Sequence, residues 1–171
     1  KGIETTLKDL GIPNPNFETK ISIKEMEKNT GVYLDGKFFN AASKGIDEVE
    51  FFVSTNPGED LKPLSKVASG GEISRIMLSL KSTLAKNDKL PLLIFDEIDV
   101  GISGRIAQKV GIALKNLASF HQIISITHLP QIAGLADHHF SIVKTSKDGR
   151  VISSIKKLTS SERITEVAKL L

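Results

Sequence analysis

Three short segments, in fixed order, limit what this chain can fold into. They are Ala68-Ser69-Gly70-Gly71-Glu72, then Leu92-Leu93-Ile94-Phe95-Asp96-Glu97, then Thr127-His128. Each marks a junction between regular elements. After Gly71, residues Ile73, Ile76, Met77, Leu80 and Leu84 fall on one helical face. Leu92 to Phe95 is a continuous apolar run after Pro91, the pattern of a strand buried on both faces of a parallel sheet. Ile106, Val110, Ala113, Leu114 and Leu117 mark a second helix, and Ile123, Ile124 and Ile126 a second buried strand. Helix and strand alternate, so the expected fold class is α/β, with a parallel-sheet core and flanking helices.

Both ends of the chain predict antiparallel strands instead. Phe17 to Ile23 alternates apolar and polar residues. Asp35-Gly36 is a hairpin signal between Val32-Tyr33-Leu34 and Phe38-Phe39, and Val49 to Val53 is a further strand. Asn56-Pro57-Gly58 opens a loop that runs to the Ser-Gly-Gly. Near the other end, Phe140 to Lys144 and Val151 to Ile155 flank a second turn pair, Asp148-Gly149. Thr159-x-x-Glu162 has the form of a capping box before a last apolar stripe, Ile164, Val167, Ala168 and Leu171. At the start, Ile3, Leu7 and Leu10 fall at helical spacing until Pro13 and Pro15 end the segment.

Composition sets outer limits. The 171 residues suffice for one domain with a real core. A net charge of +3 permits nucleic-acid contact without arguing for it. The absence of cysteine excludes disulfides and thiolate metal sites and suits a reducing cytoplasm. No apolar run is long enough to span a bilayer, so no membrane is expected as a partner. The first residue is Lys1 rather than Met, so the chain reads as a piece of something longer.

The junction residues carry chemistry. Two adjacent glycines uncover backbone N–H groups at a helix start, where the helix dipole is positive, and Ser69 adds a hydroxyl; the ensemble suits an anion. Asp96 and Glu97 end a buried strand, where ligands collect in open α/β sheets. Asp96 suits Mg²⁺, a hard cation that takes oxygen ligands. Glu97 can polarise a water for attack on a phosphate. His128, at the end of the next strand, can hydrogen-bond a phosphate oxygen. The other histidines, His121, His138 and His139, form no metal pattern.

In this order and at this spacing the segments resemble the signature motif, Walker B motif and switch histidine of ABC-type ATPases. Asp99 fits that family's D-loop. The longer stretches narrow the likeness. Val67 to Arg75, Ile94 to Gly104 (with Asp-Val-Gly-Ile-Ser-Gly) and Thr127 to Ala133 (with Thr-His-Leu-Pro-Gln) are similar to the RecN family of bacterial, SMC-like DNA repair proteins. Ser54 to Gly58 also fits, and the match runs over roughly residues 46–171. Such proteins carry two head halves separated by a long antiparallel coiled coil. The resemblance implies the C-terminal lobe of an ABC-type P-loop ATPase head at residues 16–171, with residues 1–15 as the end of the coiled-coil arm or a linker. It implies ATP and Mg²⁺ as cofactors, with the N-terminal lobe of the same head, a second head of a homodimer, and DNA as partners. The location it implies is the bacterial cytoplasm, at the nucleoid. Ser69, Gly70, Gly71 and Glu72 would close on ATP held by the opposite head. Asp96 (Mg²⁺), Glu97 and His128 (catalytic) would serve the nucleotide of their own head. Other SMC or RecF-type heads, and a non-catalytic ABC-like interaction module, remain open.

One stretch imitates the phosphate loop that the first half should supply. Gly31-Val32-Tyr33-Leu34-Asp35-Gly36-Lys37 satisfies the first seven positions of the Walker A pattern. Phe38 then stands where Ser or Thr should meet the metal, no helical pattern follows, and Asp-Gly reads as a turn. The expectation is a hairpin, with the fragment alone unable to hydrolyse ATP.

Overall fold

The computed structural model describes residues 2–27, 31–67, 69–87, 90–147 and 150–170. Ala68, the Asp148-Gly149 turn and Leu171 lie outside the described residues. The chain divides into two units. One gathers residues up to 11 and from 69 onward; the other is residues 12–68.

The second unit is antiparallel. Strand β1 (Asn16–Ile23) and strand β5 (Asp47–Ser54) pair from Asn16↔Ser54 to Ile23↔Asp47. Strand β6 (Lys62–Pro63) adds to β5, and a 3-10 turn at Leu64–Lys66 follows. A smaller sheet has the order β2-β4-β3, with β2 Glu25–Met26, β3 Val32–Leu34 and β4 Lys37–Phe39. Leu34 pairs with Lys37, so Asp35 and Gly36 alone make the turn. Their φ angles, 47° and 84°, are the pair of positive values that a tight hairpin of this twist requires. The Gly31–Lys37 stretch is therefore a hairpin.

The other unit carries the α/β alternation. Helix α1 (Gly2–Asp9) precedes helix α2 (Gly70–Leu84), strand β7 (Leu92–Phe95), helix α3 (Gly104–Leu117) and strand β8 (Gln122–Ser125). The short helix α4 (Pro130–Ala133), strands β9 (Phe140–Lys147) and β10 (Arg150–Lys157) and helix α5 (Ser160–Lys169) follow. Strands β7 and β8 run parallel, Leu92↔Gln122 to Phe95↔Ser125. Strands β9 and β10 are antiparallel partners. Thr159 and Glu162 form the reciprocal capping box of α5. Leu10, Leu78, Leu93, Phe95, Ile98, Val110, Leu114, Leu117 and Ile132 make one core. Each such side chain, fully buried, contributes about 1.5–3 kcal/mol. Helix α1 joins this unit through buried Leu7 and Leu10, and Ser79 Oγ donates to Ile3 O at 3.1 Å. Among the described residues no helix is long and apolar enough to cross a membrane.

Two burial expectations need correction. The parallel strands are not buried on both faces. Leu93 and Phe95 face the core, while Ile94 is 61% exposed and Ile126 is 50% exposed. Among the described residues this sheet has two strands, and the core cluster covers one side of it. On helix α3 the expected stripe holds at Val110, Leu114 and Leu117, with Ala113 packed against the core, and departs at Ile106. Ala107, Val110, Gly111, Leu114 and Leu117 are buried, whereas Ile106 is exposed. A small residue lets the helix approach its neighbours closely, which a larger one would prevent.

Candidate functional site

The site is built where the start of α2 meets the turn after β7. Ser69 caps the helix from an extended backbone, and its Oγ accepts a hydrogen bond from Glu72 N at 3.3 Å. The two glycines then lie against the β7 turn. A Cβ on Gly70 would overlap the Glu97 carboxylate, and one on Gly71 would stand 2.8 Å from Val100 O. Only residues without a side chain permit this approach.

On the other side of the contact, β7 delivers Asp96 and Glu97 into solvent at its carboxyl end. Asp96 Oδ1 accepts from Glu97 N at 2.9 Å. Glu97 has φ 57°, a left-handed conformation that costs a residue with a side chain about 1–2 kcal/mol. The turn is closed by Val100 N donating to Glu97 O at 3.1 Å. Ile98 inserts into the core and anchors it.

Asp99 is 4% exposed and points away from solvent. One of its oxygens, Oδ2, accepts from Thr127 Oγ1 at 2.5 Å and His128 N at 2.9 Å, and His128 Nδ1 lies 3.1 Å from it. Thr127 Oγ1 in turn accepts from Leu129 N at 3.1 Å. The β8 segment reaches this point because Ile126 N donates to Phe95 O, extending the parallel ladder. The His128 side chain is 71% exposed, so its second ring nitrogen is available to a ligand. Asp99 thus holds the Thr127-His128 junction from within the same chain.

The structure brings Ser69, Gly70, Gly71, Glu72, Asp96, Glu97, Asp99 and His128 into one region of one unit. Two members were missed in the sequence. Ser74 Oγ donates to Asp96 O at 2.6 Å. Arg75 Nη1 donates to Val100 O at 2.8 Å and Ile98 O at 3.3 Å. Arg75 is 5% exposed, and burial pushes its pKa down, partly offset by the charge of Glu72. The available signal was its position four residues after Gly71, over the gap that a missing side chain leaves. His121, by contrast, is structural: its Nδ1 donates to Leu90 O at 2.7 Å.

Asp96 fits a divalent cation in chemistry. It is an exposed carboxylate with one oxygen tied to Glu97 N, and Mg²⁺ is held by one or two carboxylates together with phosphate and water. Among the described residues no group of three or more His, Cys, Asp or Glu forms a site by itself.

No protein-family model matches the sequence. The chain is 40% identical over 170 residues to DNA repair protein RecN of Bacillus subtilis, 99% of this chain and 30% of that protein. It is 39% identical to DNA repair protein RecN of Rickettsia typhi, over all of this chain and 28% of the relative. The Vibrio cholerae protein of the same name is 47% identical over 127 residues, 74% of this chain and 23% of its own length. The chain therefore spans under a third of these relatives. Among solved structures, the Smc head domain with coiled coil and joint from Pyrococcus yayanosii aligns with a TM-score of 0.57 at 20% identity, over 98% of this chain and 28% of that one. A structure from work on ATP-driven dimerisation and DNA-stimulated activation of SMC ATPases gives 0.50 at 19% identity, over 99% and 88%. These likenesses show the fold.

Proposed function

We propose, for a chain that corresponds to the C-terminal part of a RecN-type, SMC-like head, that it supplies half of an ATPase site in a DNA repair protein of the bacterial cytoplasm. The observation that carries this reading is the convergence of the α2 start, the Asp96-Glu97 strand end and His128 on one turn. Its N–H groups and dipole at Ser69, Gly70 and Gly71 suit the phosphates of ATP held by a second head. Asp96 would hold Mg²⁺, which supplies charge neutralisation at the phosphates. Glu97 accepts a proton from the attacking water, and His128 contacts the terminal phosphate through its exposed nitrogen. Asp99, reached from the D-loop position, keeps His128 oriented. Hydrolysis would release the two engaged heads and reset their hold on DNA.

The other half of the site would come from the upstream lobe of the same head, joined through a coiled-coil arm that ends in α1. Two features support that need. The Gly31–Lys37 stretch is a hairpin, and the Ile94 and Ile126 side of the parallel sheet is exposed.

The test is Mg·ATP binding and turnover by the intact protein and its Glu97→Gln variant. The variant is expected to bind ATP, to lose about 100-fold or more in turnover and to accumulate as an ATP-bound dimer. Unchanged turnover would remove Glu97 from the mechanism. The isolated chain should neither bind nor hydrolyse ATP.

A further inference from the structure

We propose that Ser74 and Arg75 are positioning residues that couple the start of α2 to Glu97, so that engagement of a partner's nucleotide there sets this head's own carboxylate. The inference rests on the function proposed above. Its basis is the pattern of hydrogen bonds around one residue. Glu97 is flanked by two carbonyls, Asp96 O and Ile98 O. Consecutive residues of α2 hold both, Ser74 the first at 2.6 Å and Arg75 the second at 3.3 Å. Arg75 extends the clamp to Val100 O at 2.8 Å, the carbonyl that also leaves no room for a side chain on Gly71.

The clamp joins a rigid body to a strained one. Ser74 and Arg75 lie within two turns of the Ser69 cap, so the first turns of the helix move together with them. Glu97 holds a left-handed backbone that persists only when its surroundings over-determine it. A displacement of the helix start therefore moves the peptide group that precedes Glu97 and the one that follows Ile98, and with them the turn that carries the Glu97 side chain. Reaction geometry is sensitive to shifts of this kind, about 100-fold in rate for roughly 1 Å.

The chemistry of Arg75 supports the assignment. A buried guanidinium is costly unless hydrogen-bonded. Its Nε finds no partner among the described residues. An apolar side chain would fill the same space without that cost. What Arg75 adds is two charge-assisted bonds to main-chain oxygens, which are stronger than neutral ones. These bonds reach across from the helix to a turn 23 and 25 residues further on.

The test uses the intact protein with Ser74→Ala, Arg75→Lys and Arg75→Met, and Glu97→Gln as reference. Turnover, KM for ATP, ATP-dependent dimer formation and melting temperature are read for each. Turnover should fall about tenfold for Ser74→Ala. Arg75→Lys should keep more activity than Arg75→Met, because lysine still donates to a carbonyl. KM and dimer formation should hold for Ser74→Ala and Arg75→Lys. Where Arg75→Met fails to fold, these two variants decide. Normal turnover in both, with Glu97→Gln inactive, overturns the coupling and leaves the site reading intact. A parallel loss of turnover, dimer and melting temperature also overturns it, since that is a structural defect alone. Normal turnover of Glu97→Gln overturns the site reading itself and the coupling with it.

Discussion

Gly31 to Lys37 and Ser69 to Glu72 are both glycine-marked stretches beside a polar residue suited to phosphate, yet they fold into opposite things. The first continues into β4, so its backbone enters an antiparallel ladder, Val32↔Phe39 to Leu34↔Lys37. Its glycines answer to the hairpin: Gly31 has φ 87° and no room for a Cβ beside Phe39 O, and Gly36 completes the turn. Lys37 is ion-paired with Glu25 on the neighbouring strand. The second stretch continues into fifteen residues of helix, so its first N–H groups lack intrahelical acceptors and its glycines lie against Glu97 and Val100 of the turn after β7. Glycine spacing alone does not make an anion site. The element that follows decides, because a strand consumes its N–H groups and a helix start leaves them free.

The sharpest way to break this comparison is to add one methyl group to each stretch. In Gly71→Ala the new carbon meets Val100 O at 2.8 Å and Arg75 Nη1 at 3.0 Å, so either the helix or the turn after β7 must shift. Overpacking of this kind costs about 1–3 kcal/mol, and turnover of the intact protein should be lost. Gly36→Ala meets nothing within 4 Å and suffers only its positive φ, about 1–2 kcal/mol, with turnover unchanged. Thermal melts and ATPase assays of the two variants decide it. Equal activity loss in both would mean that the hairpin also serves the nucleotide.

The same contrast shows what was legible in the sequence. Elements were readable where period and turn chemistry agreed: the Asp35-Gly36 hairpin, the Leu92–Phe95 strand and the Thr159 capping box all appear. The order of the motifs placed Asp96, Glu97 and His128 at strand ends, because an α/β alternation sends successive strands to the same edge. Illegible were the contacts that depend on approach distance. Ser74 and Arg75 bond to carbonyl oxygens, and a carbonyl has no residue identity for a pattern to reveal. Burial of Ile94 was misread for another reason. Its side chain faces the uncovered side of a sheet that has two strands among the described residues, and a run of apolar residues does not say which chain segment covers it.

Asp99 offers a finer test on the second stretch. It was expected as a D-loop residue, and its carboxylate is turned inward onto Thr127 and His128. Because Oδ2 lies beside His128 Nδ1, the proton is expected on Nδ1, leaving Nε2 for the ligand. Asp99→Asn keeps the shape and removes the charge. Hydrogen bonds to a charged group contribute about 1.5–3 kcal/mol, so part of that stability and several-fold in turnover should go. Nitrogen NMR of the imidazole should show a mixture of tautomers in the variant. An unchanged Nδ1–H form would mean that the backbone alone orients His128.

The smallest effect should come from the residue that most resembles a catalytic lysine. Lys37 and Glu25 are both more than half exposed, and such surface pairs contribute about 0–1 kcal/mol. Lys37→Ala should therefore melt within a degree or two of the parent, about what so small a change produces in a domain of this size. ATP affinity and turnover of the intact protein should not move. A phosphate-loop lysine behaves differently, since it meets the β- and γ-phosphates directly and its loss abolishes nucleotide chemistry. Loss of ATP binding in Lys37→Ala would mean that the hairpin rearranges into a loop around nucleotide. The ladder from Val32 to Phe39 would then have to open, and hydrogen exchange of those amides with and without ATP would show it.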